Sequence, residues 1–324
     1  MGLPTDIAGR AAKAAKGFLS TSLRSRLVPP LRAYMRYMPT SLGKDQLWRS
    51  VIKPHLSWLP VEFEATARFG ARLRGNTEDF IQRHVYYFGI WEPDLTDFLA
   101  SRLRPGDGFI DVGANVGYFT LQASRLVGPS GAVVAIEASP SIFRMLEANL
   151  ALNDVTNVRV VNVAVSDRPG LVRLFRGPAD NIGGSTLLDD GTQGATFESE
   201  VKALPLGDIL VGDEWRRARV VKIDVEGSEA LVATGMASLL GEARQDLEVV
   251  MEIAPRMLEK RGKQPDEIIG LFRSAGFHVY RLENEYSDDT YLRPAGERHR
   301  PVRVTGPISE QTDVVFSRLD RPSL

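Results

Sequence analysis

The stretch FIDVGANVGYF, residues 109–119, decides the fold. An apolar strand, Phe109 to Val112, runs into Asp111, Gly113, Asn115 and Gly117, and the chain passes at once into a helical stretch. Such a strand–turn–helix junction opens a sheet wrapped by helices, and a ligand is expected outside the strand's carboxyl end, where glycines let it approach the backbone. Asn115 stands where the dinucleotide fingerprint has its second glycine, which argues against a nicotinamide cofactor.

Working outward, short apolar runs alternate with helical stretches from about residue 105 onward. Strands are predicted at Phe109 to Val112, Val133 to Ile136, Val158 to Val163, Val220 to Ile223, Leu247 to Ile253, Phe277 to Arg281 and Asp313 to Ser317, seven in all. The helices between them have suitable ends: Ser139 caps a helix that Pro140 opens, and Gly128 with Pro129 closes the one that Gly117 opens. Residues 171 to 175 and 197 to 203 read as an inserted hairpin, and the last strand, reached without a helix, reads as antiparallel. The class is α/β, a seven-stranded sheet with helices on both faces.

Composition narrows the possibilities. The chain has 324 residues, 43% hydrophobic and 25% charged, which excludes disordered, collagen-like and coiled-coil chains. It has no cysteine, so disulfides, thiolate metal sites and cysteine nucleophiles are excluded, and a cytoplasmic location fits. No apolar run is long enough to span a membrane, and nothing near Met1 resembles a signal peptide.

Charge is unevenly spread. Residues 1–60 hold ten Lys or Arg against Asp6 and Asp45, whereas the rest of the chain holds thirty against thirty-nine acids. Ile7, Ala11, Ala14 and Phe18, and then Leu31, Tyr34, Met35 and Met38, recur at helical spacing beside cations, and Pro29 with Pro30 is expected to separate two short basic helices. We therefore divide the chain into a basic helical extension, residues 1–80, and a body, residues 81–324. Residues 1–40 suit peripheral contact with an anionic inner membrane surface, with packing on the body as the alternative. The acidic body has no basic stripe, so nucleic acid is not an expected partner.

Further polar groups fall at successive strand ends. Glu137 ends the second strand, twenty residues beyond Gly117, where a carboxylate can accept hydrogen bonds from both ribose hydroxyls. After the third strand, VAVSD presents Ser166 and Asp167, suited to an adenine amino group. Taken in order, DVGANVG, IEASPSIFRMLEANLALN, VAVSD, NIGGST and VVKIDVEGSEALVATGM resemble the FkbM family of S-adenosylmethionine-dependent methyltransferases, over roughly residues 86 to 282. The resemblance implies a class I methyltransferase fold, S-adenosylmethionine as cofactor, and methylation of a hydroxyl on a sugar, glycolipid or secondary metabolite. By position it implies that Asp111, Gly113, Asn115 and Gly117 hold the methionine end and ribose, Glu137 the ribose hydroxyls, and Ser166 with Asp167 the adenine. The chain departs from the family pattern at Leu206, Gly207 and Asp208, where many members read Leu-Asp-Asp.

The fourth strand ends as KIDVEGSE, which places Lys222, Asp224, Glu226 and Glu229 at the pocket mouth. Methyl transfer from an activated donor asks the protein to align an oxygen and remove its proton. Asp224 is the first candidate base, then Glu226, with Lys222 pairing either acid or lowering the pKa of an acceptor oxygen; Glu229 suits a helix's first turn regardless of function. Glu252 at the end of the fifth strand, and Asn181 and Ser185 in the glycine-rich loop 177–194, are candidates to meet the acceptor. Asp224, Glu226 and Glu252 have no recognised metal spacing, and no metal is expected. Of the four histidines only His84 is a candidate base, while Tyr86, Trp91 and Glu92 could cover the cofactor or simply enter the core. Two other functions remain open to the sequence: a nicotinamide-dependent oxidoreductase, and a non-catalytic nucleoside-binding protein tethered through its basic N-terminus.

Overall fold

Apolar strand residues that alternate across a pleated sheet must be covered on both faces when every position is apolar, and Gly108–Val112 and Glu248–Ile253 are buried throughout. A computed structural model describes residues 21–38, 42–57, 59–177, 180–182, 196–283, 287–293 and 299–324. In it β3 (Gly108–Val112), β4 (Ala132–Ile136), β5 (Val158–Val161), β9 (Ala218–Ile223), β10 (Glu248–Ile253), β11 (His278–Leu282), β12 (Val302–Arg303) and β13 (Thr312–Ser317) form one sheet, ordered β12-β11-β13-β10-β9-β3-β4-β5. β5, β4, β3, β9 and β10 are parallel, and β13 inserts antiparallel between β10 and β11. All seven predicted strands are present. The two-residue edge strand β12 is an eighth that sequence reading misses.

Two apolar cores cover the faces. One takes Phe109, Val133, Val220, Val250 and Tyr280; the other takes Ile110, Val134, Val221, Val249 and Val279. Neighbouring strand residues thus face opposite ways, as the period of two requires. Among the covering helices are α1 (Thr21–Tyr37), α2 (Phe80–Phe88), α3 (Pro93–Arg102), α4 (Tyr118–Val127), α5 (Pro140–Ala151), α6 (Glu229–Met236), α7 (Pro255–Lys260) and α8 (Pro265–Ser274). As predicted, Ser139 caps α5 through Ile142 N at 3.2 Å.

Three corrections concern chain path. The strand predicted over Val158 to Val163 stops at Val161. Asn162 Nδ2 donates to the carbonyls of Glu137 and Ala138 at 2.8 and 3.1 Å, and the next residues form β6 (Ala164–Val165) in a separate three-stranded sheet. There β6 lies parallel to β8 (Thr196–Leu204), which pairs antiparallel with β7 (Gly170–Arg176) as the expected hairpin. Pro29 and Pro30 do not break the chain: both lie inside α1. The two prolines are exposed, while Val28 and Met35 on either side are buried and hold both halves on one surface. Residues before 80 also carry an unpredicted hairpin of β1 (Glu62–Thr66) and β2 (Arg72–Asn76).

Residues 21–80 share the core of the body. Trp48 packs against Phe88 and Tyr87 at 4.6 and 5.5 Å, and Ile52 and Leu56 are fully buried. The basic residues of α1 have a structural use. Arg32 Nε donates to Tyr86 O at 2.7 Å, Arg36 Nη1 to Val85 O and Tyr86 O at 3.1 Å each, and Arg68 Nε to Phe88 O at 3.1 Å. Three guanidiniums therefore occupy the open carbonyls and negative dipole end of α2. The predicted basic helix at Ile7 to Phe18 lies outside the described residues, and no described helix is long and apolar enough to cross a membrane.

Candidate active site

The carboxyl ends of β3, β4 and β9, with the start of β6, surround one cleft, lined by Gly113, Asn115, Glu137, Ala138, Val163 to Val165, Asp224 and Glu226. Its floor is the predicted turn. Gly113 has φ 80°, and a Cβ there would sit 1.8 Å from the carbonyl oxygen of Asp224. The glycine is thus required so that two neighbouring strand ends can touch, a reason that precedes any ligand. Asn115, at φ 50°, tolerates the left-handed region through its own short polar side chain, whose Oδ1 accepts from Val116 N at 2.7 Å. Asp111 lies beneath the turn, fully buried, accepting from Thr120 Oγ1 at 2.6 Å; Gly117 opens α4 against Leu146. These two support the turn, and Gly113 and Asn115 face the cleft.

Glu137 is held in place by backbone. Oε2 accepts from Asn115 N at 2.9 Å and Oε1 from Ser139 N at 2.8 Å. Burial pushes its carboxyl up to about 7, against the lowering effect of those two N–H groups. A carboxylate with two donors has lone pairs to spare, and further hydroxyl donors would relieve its desolvation. Ser166 donates to Asp167 at 3.2 Å, and both stand just past the Val163 to Val165 wall, outside the cleft lining.

At the end of β9, Lys222 is buried, with Nζ 3.0 Å from Asp224 Oδ2, 4.0 Å from Asp111 Oδ1 and 5.2 Å from the Phe119 ring centroid. Burial by itself would lower the ammonium, but Asp224, Asp111 and Glu92 outweigh it and raise it above its ordinary value. It is a fixed cation. The Asp224 side chain is 34% exposed and lines the cleft, so its carboxylate keeps capacity beyond the lysine. Glu226 lies beside it at φ 48°, its carboxyl raised well above the usual range by enclosure and then by Asp224, Glu252 and Glu229. Glu229 is buried, accepts from Gly227 N at 2.8 Å and is raised to about 7 by burial; it does not line the cleft. Glu252 accepts from Gln311 Nε2 at 2.9 Å and stands opposite Asp313 in the β10–β13 register.

Two acids of this cluster escape sequence reading as such. Glu92 is buried in the left-handed region at φ 39°, and burial, then Asp313 and Asp224, push its carboxyl well above the usual range. The sequence singles out Glu92 only as a residue that could cover the cofactor or enter the core; its coupling to Lys222 is non-local. Asp313 did leave one, an acid in the otherwise apolar run TDVVFS. His84 is withdrawn as a base. It is buried among Phe80, Phe88, Trp91 and Tyr291, its Nδ1 bonds Phe80 O at 2.8 Å, and burial lowers it to about 4. Tyr86 and Trp91 are core residues, Tyr86 lying under Arg32 at 4.3 Å. Ser185 and most of the loop lie outside the described residues, as does any account of a lid. The end that is described, at Asn181, is fastened to α2: Phe80 N donates to Asp180 O at 3.0 Å and Ile182 N to Asp79 Oδ2 at 3.1 Å. No group of described residues is arranged to hold a metal ion.

A mostly parallel sheet with an antiparallel strand next to its end, and polar side chains gathered at its carboxyl edge, defines a class I methyltransferase fold. Residues 111–279 match the family model described as the methyltransferase FkbM domain, and the chain belongs to that family. It is 30% identical over 222 residues to the 31-O-demethyl-FK506 methyltransferase FkbM of Streptomyces tacrolimicus, spanning 60% of this chain and 82% of that protein. Similar solved structures include a methyltransferase FkbM from Methylobacillus flagellatus (12% identity, 74% of this chain, 55% of that one, TM-score 0.39). Another is an S-adenosylmethionine-dependent O-methyltransferase from Thermotoga maritima (12% identity, 80% and 78% of the two chains, TM-score 0.40). Membership removes the nicotinamide alternative. S-adenosylmethionine is the cofactor of such a fold, and the residues present fit it: a strand-end carboxylate for ribose hydroxyls, an open backbone turn, and an apolar wall from Val163 to Val165.

Proposed function

We propose that this methyltransferase acts on oxygen, transferring a methyl group to a hydroxyl of a small molecule or glycan. The observation that supports this reading most is Asp224, which lines the cleft with Gly113 and Glu137 and is backed by the buried Lys222 at 3.0 Å. When bound, S-adenosylmethionine supplies a methyl group already activated on a sulfonium. Glu137 orients the ribose through its two oxygens, and the Gly113 turn leaves the backbone open beside it. Asp224 accepts the proton of the acceptor hydroxyl as the new bond forms. Lys222 holds the Asp224 carboxylate in place, its Nζ donating to Oδ2 at 3.0 Å. The FK506 methyltransferase named above, whose name specifies a 31-O position, supports oxygen as the acceptor atom.

The test is single-turnover transfer of labelled methyl from the cofactor to extracted glycans and metabolites, comparing wild type with Asp224→Asn. The variant should bind S-adenosylhomocysteine normally and transfer roughly 10² to 10⁴-fold more slowly. Full single-turnover rate in the variant would remove Asp224 from the chemistry. Label recovered on nitrogen or carbon would remove the hydroxyl.

A further inference from the structure

A second cavity, of about 700 Å³, opens on the outer edge of the sheet, between β11–β12 and the segment 304–311 that leads into β13. That volume lies within the range of small-molecule sites. Its position ties it to the cleft. The crossing segment ends at Gln311, which donates to Glu252 at 2.9 Å, and at Thr312, which pairs with Ile253 at the carboxyl end of β10. The cavity therefore borders, at Thr312, the carboxyl end of β10, the strand beside β9.

Its lining is divided. Val302, Val304 and Ile308 give an apolar floor, with Val302 59% exposed. The polar part of the lining includes three arginines, Arg281, Arg300 and Arg303, on a body that is otherwise acidic. Arg303 is committed, donating to Asp320 at 2.7 Å and to Tyr280 Oη at 3.0 Å and bonding His278 Nδ1 at 2.7 Å. Glu283 lies 3.5 Å from His299 Nδ1, and Arg293 donates to the other ring nitrogen at 3.1 Å. Glu310 is the other acid of the lining. The guanidinium groups of Arg281 and Arg300 have neither a hydrogen bond nor an ion pair with any described residue. A planar guanidinium presents a fork of donors matched to a phosphate, and two of them above an apolar floor suit a molecule with an anionic end and a less polar body.

We propose that this cavity is an acceptor subsite, and that Arg281 and Arg300 bind a phosphate group carried by the acceptor. The acceptor class is then a phosphorylated hydroxy compound, the phosphate held at the sheet edge and the hydroxyl delivered towards Asp224. This rests on the reading of the cleft as the methyl-transfer site, but the phosphate site is measurable without it. Both side chains are exposed, so their replacement leaves the core untouched.

The full-length protein is titrated with inorganic pyrophosphate as the probe, for wild type, Arg281→Ala, Arg300→Ala, the double variant and Arg281→Lys, with S-adenosylhomocysteine titrated separately into each. Wild type should bind pyrophosphate in a salt-sensitive manner, each Ala variant about tenfold more weakly, the double variant not measurably, and Arg281→Lys between wild type and Ala. S-adenosylhomocysteine affinity should stay within about twofold throughout, since neither arginine lines the cofactor cleft. Equal pyrophosphate binding by wild type and the double variant, or none by wild type, overturns the subsite. Failure of wild type to bind S-adenosylhomocysteine would instead overturn the reading of the cleft, with the pyrophosphate result standing on its own.

Discussion

Glu137→Gln, titrated across pH, is the most exacting perturbation of the cofactor cleft. In the ligand-free protein burial lifts this carboxyl from 4.5 to about 7, with Ser139 N and Asn115 N pulling the other way, so at pH 6 it is mostly protonated. Ribose hydroxyls donate to the ionised form and favour it, so binding below pH 7 must expel a proton. If the bound carboxyl returns to its ordinary range, S-adenosylhomocysteine affinity falls about tenfold from pH 8 to pH 6. Gln keeps the shape but cannot ionise. Its affinity at pH 8 should fall by about 1.5 to 3 kcal/mol, the range for a hydrogen bond to a charged group, and its pH profile should be flat. Stability carries the opposite sign. A raised carboxyl favours the fold fully below pH 4.5 and loses that contribution as pH rises through about 7, by up to ~3 kcal/mol, and Gln removes the loss. Calorimetry at pH 6, 7 and 8 in buffers of differing ionisation enthalpy reads affinity and proton release together. A flat wild-type profile, or a Gln variant with the wild-type slope, would refute the placement of the ribose at Glu137.

Other substitutions test the frame. Gly113→Ala puts a methyl group 1.8 Å from the Asp224 carbonyl in a left-handed backbone, and should cost ~2 to 5 kcal/mol in urea unfolding; a variant as stable as wild type would show that the strand ends are not in contact. Arg36→Met removes donors to Val85 O and Tyr86 O at the end of α2 and should lower stability by about 1.5 to 3 kcal/mol, whereas no change would mean the guanidinium is not needed there. Deletion of residues 1–20 takes away three cations, Arg10, Lys13 and Lys16, and one acid, Asp6. Removing them should leave the melting temperature unchanged and reduce sedimentation with anionic vesicles at low salt, and equal sedimentation would end the membrane proposal.

The sheet was legible because its strands are buried on both faces and so appear as mostly apolar runs, GFIDV and EVVMEI among them, each broken only by acids. What was not legible depends on partners distant in sequence. The edge strand Val302–Arg303 exists only through β11, the end of β5 is set by an Asn162 amide reaching the β4 carbonyls, and α1 runs through two prolines because buried Val28 and Met35 hold it. The strand-end rule located Gly113, Asn115, Glu137 and Asp224 around one cleft. It did not distinguish Gly113 as a contact between strand ends from Gly113 as a ligand floor, and it gave no account of Glu92, which reaches Lys222 from the start of α3. Of the cations in residues 1–40, which in sequence suit either an anionic membrane surface or packing on the body, Arg32 and Arg36 bond carbonyls at the end of α2.

The central claim, a methyl-donor site at the carboxyl edge of β3, β4 and β9, is tested most directly by titrating the wild-type chain with S-adenosylhomocysteine and, separately, with NAD. The account predicts one S-adenosylhomocysteine per chain, weakened in Glu137→Gln, and no heat from NAD. Saturable binding of NAD without S-adenosylhomocysteine, or S-adenosylhomocysteine binding that Glu137→Gln leaves unchanged at pH 8, would contradict it.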